Sequence, residues 1–159
     1  MSKATADLYD DHGDDLRVLA PIFRDFGGRV SFSGEIVTLK VFEDNSLVRS
    51  TLEQTGNGRV LVVDGGGSLR CALVGDQLAE LGVKNDWAGI VVYGCIRDAD
   101  PIGKLDIGLK ALATNPRKSV KKGVGDRDIP VQFAESQISP GDYLYADRDG
   151  IVLSSHSLD

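Results

Sequence analysis

Cysteine and histidine are scarce: the 159-residue chain has two of each, Cys71 and Cys95, His12 and His156. The cysteines fit neither a zinc spacing nor a Cys-x-x-Cys redox pair, so they read as reduced, packed thiols. Two histidines near opposite ends cannot form a multi-histidine cage, which leaves only a hard cation on oxygen ligands as a candidate metal. No serine sits in a nucleophile elbow beside a histidine, so a Ser-His-Asp triad is not expected. No stretch approaches 18 uninterrupted apolar residues, which argues against a membrane-spanning helix. The first fifteen residues hold one basic residue and five aspartates, the reverse of a secretory leader, and a cytoplasmic protein is expected. Basic residues are in the minority, 18 against 24 acidic, for a net charge of −6. With that acidic balance the chain lacks the electrostatic footprint for phosphate backbones and is not expected to bind nucleic acid directly.

A chain of this length with 42% hydrophobic residues can bury one sizeable core without disulfide or metal staples. It shows no internal repeat, low-complexity tract or linker, and we expect a single domain over residues 1–159. A helix is expected at 5–12, begun by the cap-type Thr5. The alternating stretch 35–42 reads as a half-buried strand. Asn45 reads as the N-cap of a helix to about Gln54. Residues 59–63 (RVLVV) and 88–93 (AGIVVY) read as buried strands joined through a helix at 75–84, a right-handed βαβ crossover in an α/β fold. The stretch 106–113 suits a short helix or a strand. A strand is expected at 129–134, and a hairpin from 143–146 and 151–154 around Asp149-Gly150. The basic stretch 115–128 reads as a solvated loop, and Asp10, Asp11, Asp14 and Asp15 as a solvated acidic face.

Several apparent sites fail on inspection. Gly65-Gly66-Gly67 follows a strand but matches neither GxGxxG nor GxxxxGK[ST]; its glycines more simply let backbone approach backbone or ligand. Lys84, Lys104 and Lys110 lie in polar or amphipathic contexts, without the desolvation that turns a lysine into a Schiff-base nucleophile. One constellation survives. If a helix opens near Gly75, the N–H groups of Gly75, Asp76, Gln77 and Leu78 lack intrahelical acceptors and can receive a small carboxylate. Arg97 and Asp98, at the end of the next strand, offer a donor fork for the same anion and a carboxylate for a divalent cation.

Longer stretches place these residues in a wider pattern: FGGR (26–29), VFEDNSLV (41–48), GRVLVVDGGGSLR (58–70), GIVVYGCIRD (89–98) and LYADRDGI (144–151). In them the sequence resembles, over nearly its whole length, the RraA-like proteins, which include the regulator of ribonuclease E activity A and the class II 4-hydroxy-4-methyl-2-oxoglutarate aldolases. The family's Asp-x20-Arg-Asp motif of aldolase and oxaloacetate decarboxylase activity is complete in Asp76, Arg97 and Asp98. The resemblance implies a β/β/α swivelling-domain fold assembled as a homotrimer. It implies that Gly75, Asp76, Gln77 and Leu78 bind a pyruvyl carboxylate, that Arg97 contacts substrate oxygens, that Asp98 ligates Mg²⁺ or Mn²⁺, and that Asp76 orients a metal-bound water. Pro101 stands where the family often has an acidic residue, leaving Asp100 or water as the proton-transfer partner. The expected activity is metal-dependent cleavage of a 2-oxo diacid to pyruvate. The alternative is a protein that binds and inhibits a ribonuclease E type partner.

Overall fold

The computed structural model describes residues 3–159. In chain order the elements are α1 (Thr5–His12), a 3₁₀ turn (Gly13–Asp15), β1 (Arg17–Val18), β2 (Arg24–Asp25), β3 (Phe32–Lys40), α2 (Ser46–Leu52), β4 (Val60–Asp64), β5 (Ala72–Val74), α3 (Asp76–Lys84), β6 (Gly89–Ile96), α4 (Ala99–Ile102), β7 (Gly108–Thr114), β8 (Asp126–Arg127), β9 (Val131–Phe133), β10 (Ser136–Ile138), β11 (Tyr143–Asp147) and β12 (Gly150–Ser154). Among the described residues no helix is long and apolar enough to cross a membrane.

The sheet runs β1-β12-β11-β3-β4-β6-β7-β2. Its centre, β3-β4-β6-β7, is parallel, and antiparallel strands flank it on both sides. Every residue of β4 is buried, as a parallel strand covered on both faces requires. Leu61 and Val63 face the core shared with Val48 and Leu52 of α2, Leu78 and Ala79 of α3 and Ile102 of α4. Val60 and Val62 point the other way, into a core with Phe133, Ile138, Leu144 and Leu153. One strand thus divides a helical layer from a second β layer. Gly89 and Gly108 pair across β6 and β7, and the Phe32 ring lies over both so closely that a Cβ at either would come within 2.3 Å of it.

The expected crossover is present, with α3 between the parallel neighbours β4 and β6. The ambiguous stretch 106–113 is strand β7, and the β11-β12 hairpin forms around Asp147 and Gly150. Local capping differs from expectation. Thr5 does not cap α1; its N–H and hydroxyl donate to the two carboxylate oxygens of Asp147 at 2.8 and 2.7 Å. Asn45 stands at the N-cap of α2 without capping it, because its amide donates to the Leu73 carbonyl. Asp44 takes the Ser46 N–H instead. The helix stops at Leu52. Lys110 is desolvated, contrary to expectation: its side chain is 3% exposed, with Nζ 2.9 Å from Asp25 Oδ1 and 2.8 Å from the Asp147 carbonyl. The cysteines are buried and free, and burial pushes both thiols up from their usual range.

Candidate active site

The carboxyl end of β6 has two successive neighbours on one side. β4 pairs with Gly89 to Tyr93, then leaves through the glycine loop, and β5 takes its place beside Cys95 and Ile96. Left-handed Gly66 and Gly67 make the exit possible, with Gly65 and Gly67 N–H groups on the Tyr93 carbonyl. The loop therefore brings backbone to backbone, one of its two expected uses. Strand β5 was not expected at all.

This handover builds the site. The Arg97 N–H donates to the Val74 carbonyl at 2.9 Å, so the residues that follow the two strands, Gly75-Asp76 and Arg97-Asp98, emerge side by side. Asp98 adopts the left-handed conformation (φ 61°, ψ 44°), which Asp tolerates better than most residues. Its Oδ2 accepts the Asp76 N–H at 3.0 Å. A Cβ at position 75 would lie 2.8 Å from that oxygen, so the approach needs glycine. The Gln77 and Leu78 N–H groups, in the first turn of α3, have no intrahelical acceptor. Arg97 is exposed, and its Nη1 reaches the Pro116 carbonyl at 3.4 Å.

These six residues, Gly75, Asp76, Gln77, Leu78, Arg97 and Asp98, all line one cavity of about 160 Å³. The same cavity is lined by Asn45 and Arg49 from α2 and its cap, and by Lys118, Ser119 and Lys121 from the basic loop. Four cations thus face two carboxylates, a local excess of positive charge in an acidic chain. Asn45 Oδ1 is buried and unpartnered among the described residues. Lys118 and Lys121 are solvated as expected, yet they also wall the cavity, which the sequence reading missed. Five cations between Arg117 and Arg127 were the available signal. Asp100 lies on α4 outside the cavity.

No group of three or more His, Cys, Asp or Glu able to hold a metal gathers among the described residues, so a cage of protein ligands is not what the cavity offers. Its acidic oxygens are those of Asp76 and Asp98. One or two carboxylates completed by water and substrate oxygens is the donor set that suits Mg²⁺, and the residues fit that ion.

Residues 5–153 match the family profile described as RraA-like, Aldolase/RraA. The chain belongs to the RraA-like family. Among RraA-like relatives, it is 61% identical to a protein of Alkalilimnicola ehrlichii over 99% of this chain and 98% of that one. It is 59% identical to one of Aromatoleum aromaticum, over 99% of each. Both carry the name "Putative 4-hydroxy-4-methyl-2-oxoglutarate aldolase". Among solved structures, the RNA-processing inhibitor RraA of Thermus thermophilus superposes with a TM-score of 0.96 at 45% identity, covering 100% of this chain and 96% of that one. A Geobacillus kaustophilus protein described as an S-adenosylmethionine:2-dimethylmenaquinone methyltransferase also reaches 0.96, at 47% identity over 98% and 97% of the two chains. The RraA-like fold is therefore shared under three different functional names, and the site has to decide among them.

Proposed function

We propose that this RraA-like protein is a divalent-metal-dependent lyase that cleaves a 2-oxo-4-hydroxy diacid such as 4-hydroxy-4-methyl-2-oxoglutarate to pyruvate, and decarboxylates oxaloacetate. The observation that carries this reading is the convergence of Asp76, Arg97, Asp98 and the α3 N-terminus on one small polar cavity. The aldolase names of relatives near 60% identity support it. The cavity is walled mostly by polar and charged residues, without the apolar lining that a quinone ring requires.

Each residue has a task. The Gln77 and Leu78 N–H groups, at the positive end of the α3 dipole, receive the pyruvyl carboxylate. Arg97 faces the 2-oxo oxygen, where charge builds up as the C3–C4 bond breaks, and its guanidinium stabilises that charge. Asp98 would hold the cation, and the bond from the Asp76 N–H to its Oδ2 fixes the direction of the carboxylate. Asp76 takes the proton of the 4-hydroxyl, through water where the distance requires it, and the return of that proton to C3 of the enolate completes pyruvate. When a divalent cation is bound, it supplies Lewis-acid stabilisation of the enolate. Arg49, Lys118 and Lys121 suit the second carboxylate of a diacid.

The test is a coupled pyruvate-release assay with both substrates, with and without Mg²⁺ or Mn²⁺. Arg97→Ala is expected to lose about 10²- to 10³-fold in turnover, and Asp98→Ala to lose metal dependence. Full metal-dependent turnover in both variants overturns the site assignment. The homotrimer remains part of the proposal. Phe42, Leu69, Val120 and Val124, each more than half exposed, lie on segments bordering the cavity and suit contact with a second copy, which light scattering checks. A cytoplasmic location accords with two free cysteines.

The RNA-processing inhibitor among the structural relatives favours one second reading, inhibition of a ribonuclease E type protein through the acidic surface. Failure to capture such a partner even at low ionic strength excludes it.

A further inference from the structure

The chain from 115 to 125 forms no helix or strand, only a single bridge between Ala72 and Lys118. Even so it carries two of the cavity's cations. Before Lys121 it is held by backbone bonds, the Ala72 N–H on the Arg117 carbonyl at 2.7 Å and the Val120 N–H on the Glu43 carbonyl at 3.3 Å; beyond Lys121 it is held by a carboxylate that the chemistry above does not use. Asp44, 4% exposed, sits between β3 and α2. Its Oδ1 accepts the Ser46 N–H at 2.9 Å and the Ser46 hydroxyl at 2.6 Å. Its Oδ2 accepts the Lys122 N–H at 2.8 Å and the Val124 N–H at 3.1 Å. One oxygen therefore serves the helix that bears Arg49, and the other serves the loop that bears Lys118 and Lys121.

Lesser contacts follow the same seam. The Gly123 N–H donates to Ser46 Oγ at 3.1 Å. The Asn45 N–H donates to the buried Ser119 Oγ at 3.2 Å. Among the described residues the carboxylate is the only group there that binds both elements through ionised oxygens, and bonds to an ionised acceptor are roughly twice as strong as neutral ones.

We propose that Asp44 is a positioning residue that holds the cationic wall of the cavity together, so that Arg49, Lys118 and Lys121 meet the second carboxylate of a dianionic 2-oxo acid. The proposal rests on the diacid reading above for its choice of ligand.

Asp44→Asn is the discriminating variant. It keeps the size of the side chain but offers one acceptor and one donor, so it can satisfy the helix or the loop, not both. Calorimetry in the presence of Mg²⁺ compares 2-oxoglutarate, a dianion without the 4-hydroxyl required for retro-aldol cleavage, with pyruvate, a monoanion. The expected result is about tenfold weaker 2-oxoglutarate binding with pyruvate unchanged within about twofold. In a Lys118→Ala/Lys121→Ala background the Asp44→Asn effect is expected to shrink to less than about twofold, because the pair then has nothing left to position. Amide exchange of the segment 120–124 should rise about tenfold while α3 and β6 keep their protection.

Equal weakening of both ligands, unchanged 2-oxoglutarate binding, or full additivity with the lysine variants overturns the proposal. If Asp44→Asn does not fold, Ser46→Ala, which cuts the hydroxyl link to Gly123, gives the same comparison at smaller amplitude. Binding and exchange are read without turnover. A wild-type protein that binds 2-oxoglutarate yet releases no pyruvate from either substrate therefore defeats the lyase reading and leaves this one standing.

Discussion

At position 75 a single methyl group would sit 2.8 Å from Asp98 Oδ2 and 3.5 Å from the Arg97 side chain. The backbone there (φ −119°) is one that alanine adopts readily, so Gly75→Ala does not strain the chain. It pushes the carboxylate instead. Gly75→Ala is expected to lower turnover about tenfold, since the carboxylate must move by a few tenths of an ångström and sub-ångström misplacement of reacting groups already slows a reaction. Its thermal midpoint should stay close to wild type, and calorimetric unfolding beside the pyruvate assay checks both. Asp44 gives a second residue-scale expectation. Burial pushes its carboxyl up, but hydrogen bonds from the Ser46 hydroxyl and N–H and from the Val124 and Lys122 N–H groups outweigh this and hold it at about 2, against 3.8 for a free group. A carboxyl depressed in the folded state contributes stability above its unfolded pKa and loses it as pH falls through the folded one. That contribution is about 2 kcal/mol, present above pH 3.8 and lost towards pH 2. Denaturant titrations of Asp44→Asn should show lower stability at neutral pH and a shallower decline in that acid window.

At the scale of elements, the buried Lys110 on β7 ties Asp25 of the edge strand β2 to the Asp147 carbonyl at the end of β11. The partners are unequally buried, 3% exposure for the lysine side chain and 29% for Asp25. Removing the lysine leaves a carboxylate that water can reach, whereas neutralising the aspartate strands a buried ammonium. Asp25→Asn is therefore expected to cost more than Lys110→Met, with the former near the ~3–5 kcal/mol of a broken buried pair and the latter below it. Denaturation midpoints decide the order.

The same strand shows where sequence patterns stop informing. The long β-branched runs of β4 and β6 and the Asp149-Gly150 turn announce themselves because burial on both faces and tight reversal each demand particular residues. Three-residue β5 has no such period; it is a strand only because β4 leaves space beside Cys95 and Ile96. Lys110 looked ordinary because its partners lie 85 and 37 positions away. The cavity residues Asp76, Arg97 and Asp98 were legible through their spacing and their places at element ends. Arg49 was not, since a lone cation on a helix carries no mark of facing a void, and Lys121 was only one of five cations in a stretch that reads as a solvated loop.

Over the whole molecule, charge and its local distribution run in opposite directions: the chain is at −6, while its cavity presents Arg49, Arg97, Lys118 and Lys121 to two carboxylates. A dianion approaching the body of the protein is repelled, and one approaching the cavity is drawn in. At exposed groups such attraction is screened beyond ~8 Å at physiological ionic strength. Raising salt from 0.05 to about 0.5 M is therefore expected to raise KM for oxaloacetate several-fold, with kcat nearly constant. Steady-state kinetics across a salt series measure the split.

The strand that steps in beside β6 has a consequence for how such a catalyst diversifies. The residues proposed to act at the scissile bond follow directly on the paired strands β5 and β6, whose partners hold them in place, so they have little freedom to drift. The coil opposite is fastened at its backbone and free in its side chains. Grafting residues 117–122 from a distant relative should therefore change which tail a substrate is allowed to carry while leaving the bond-breaking step alone, as competition between 2-oxo acids of different length will reveal.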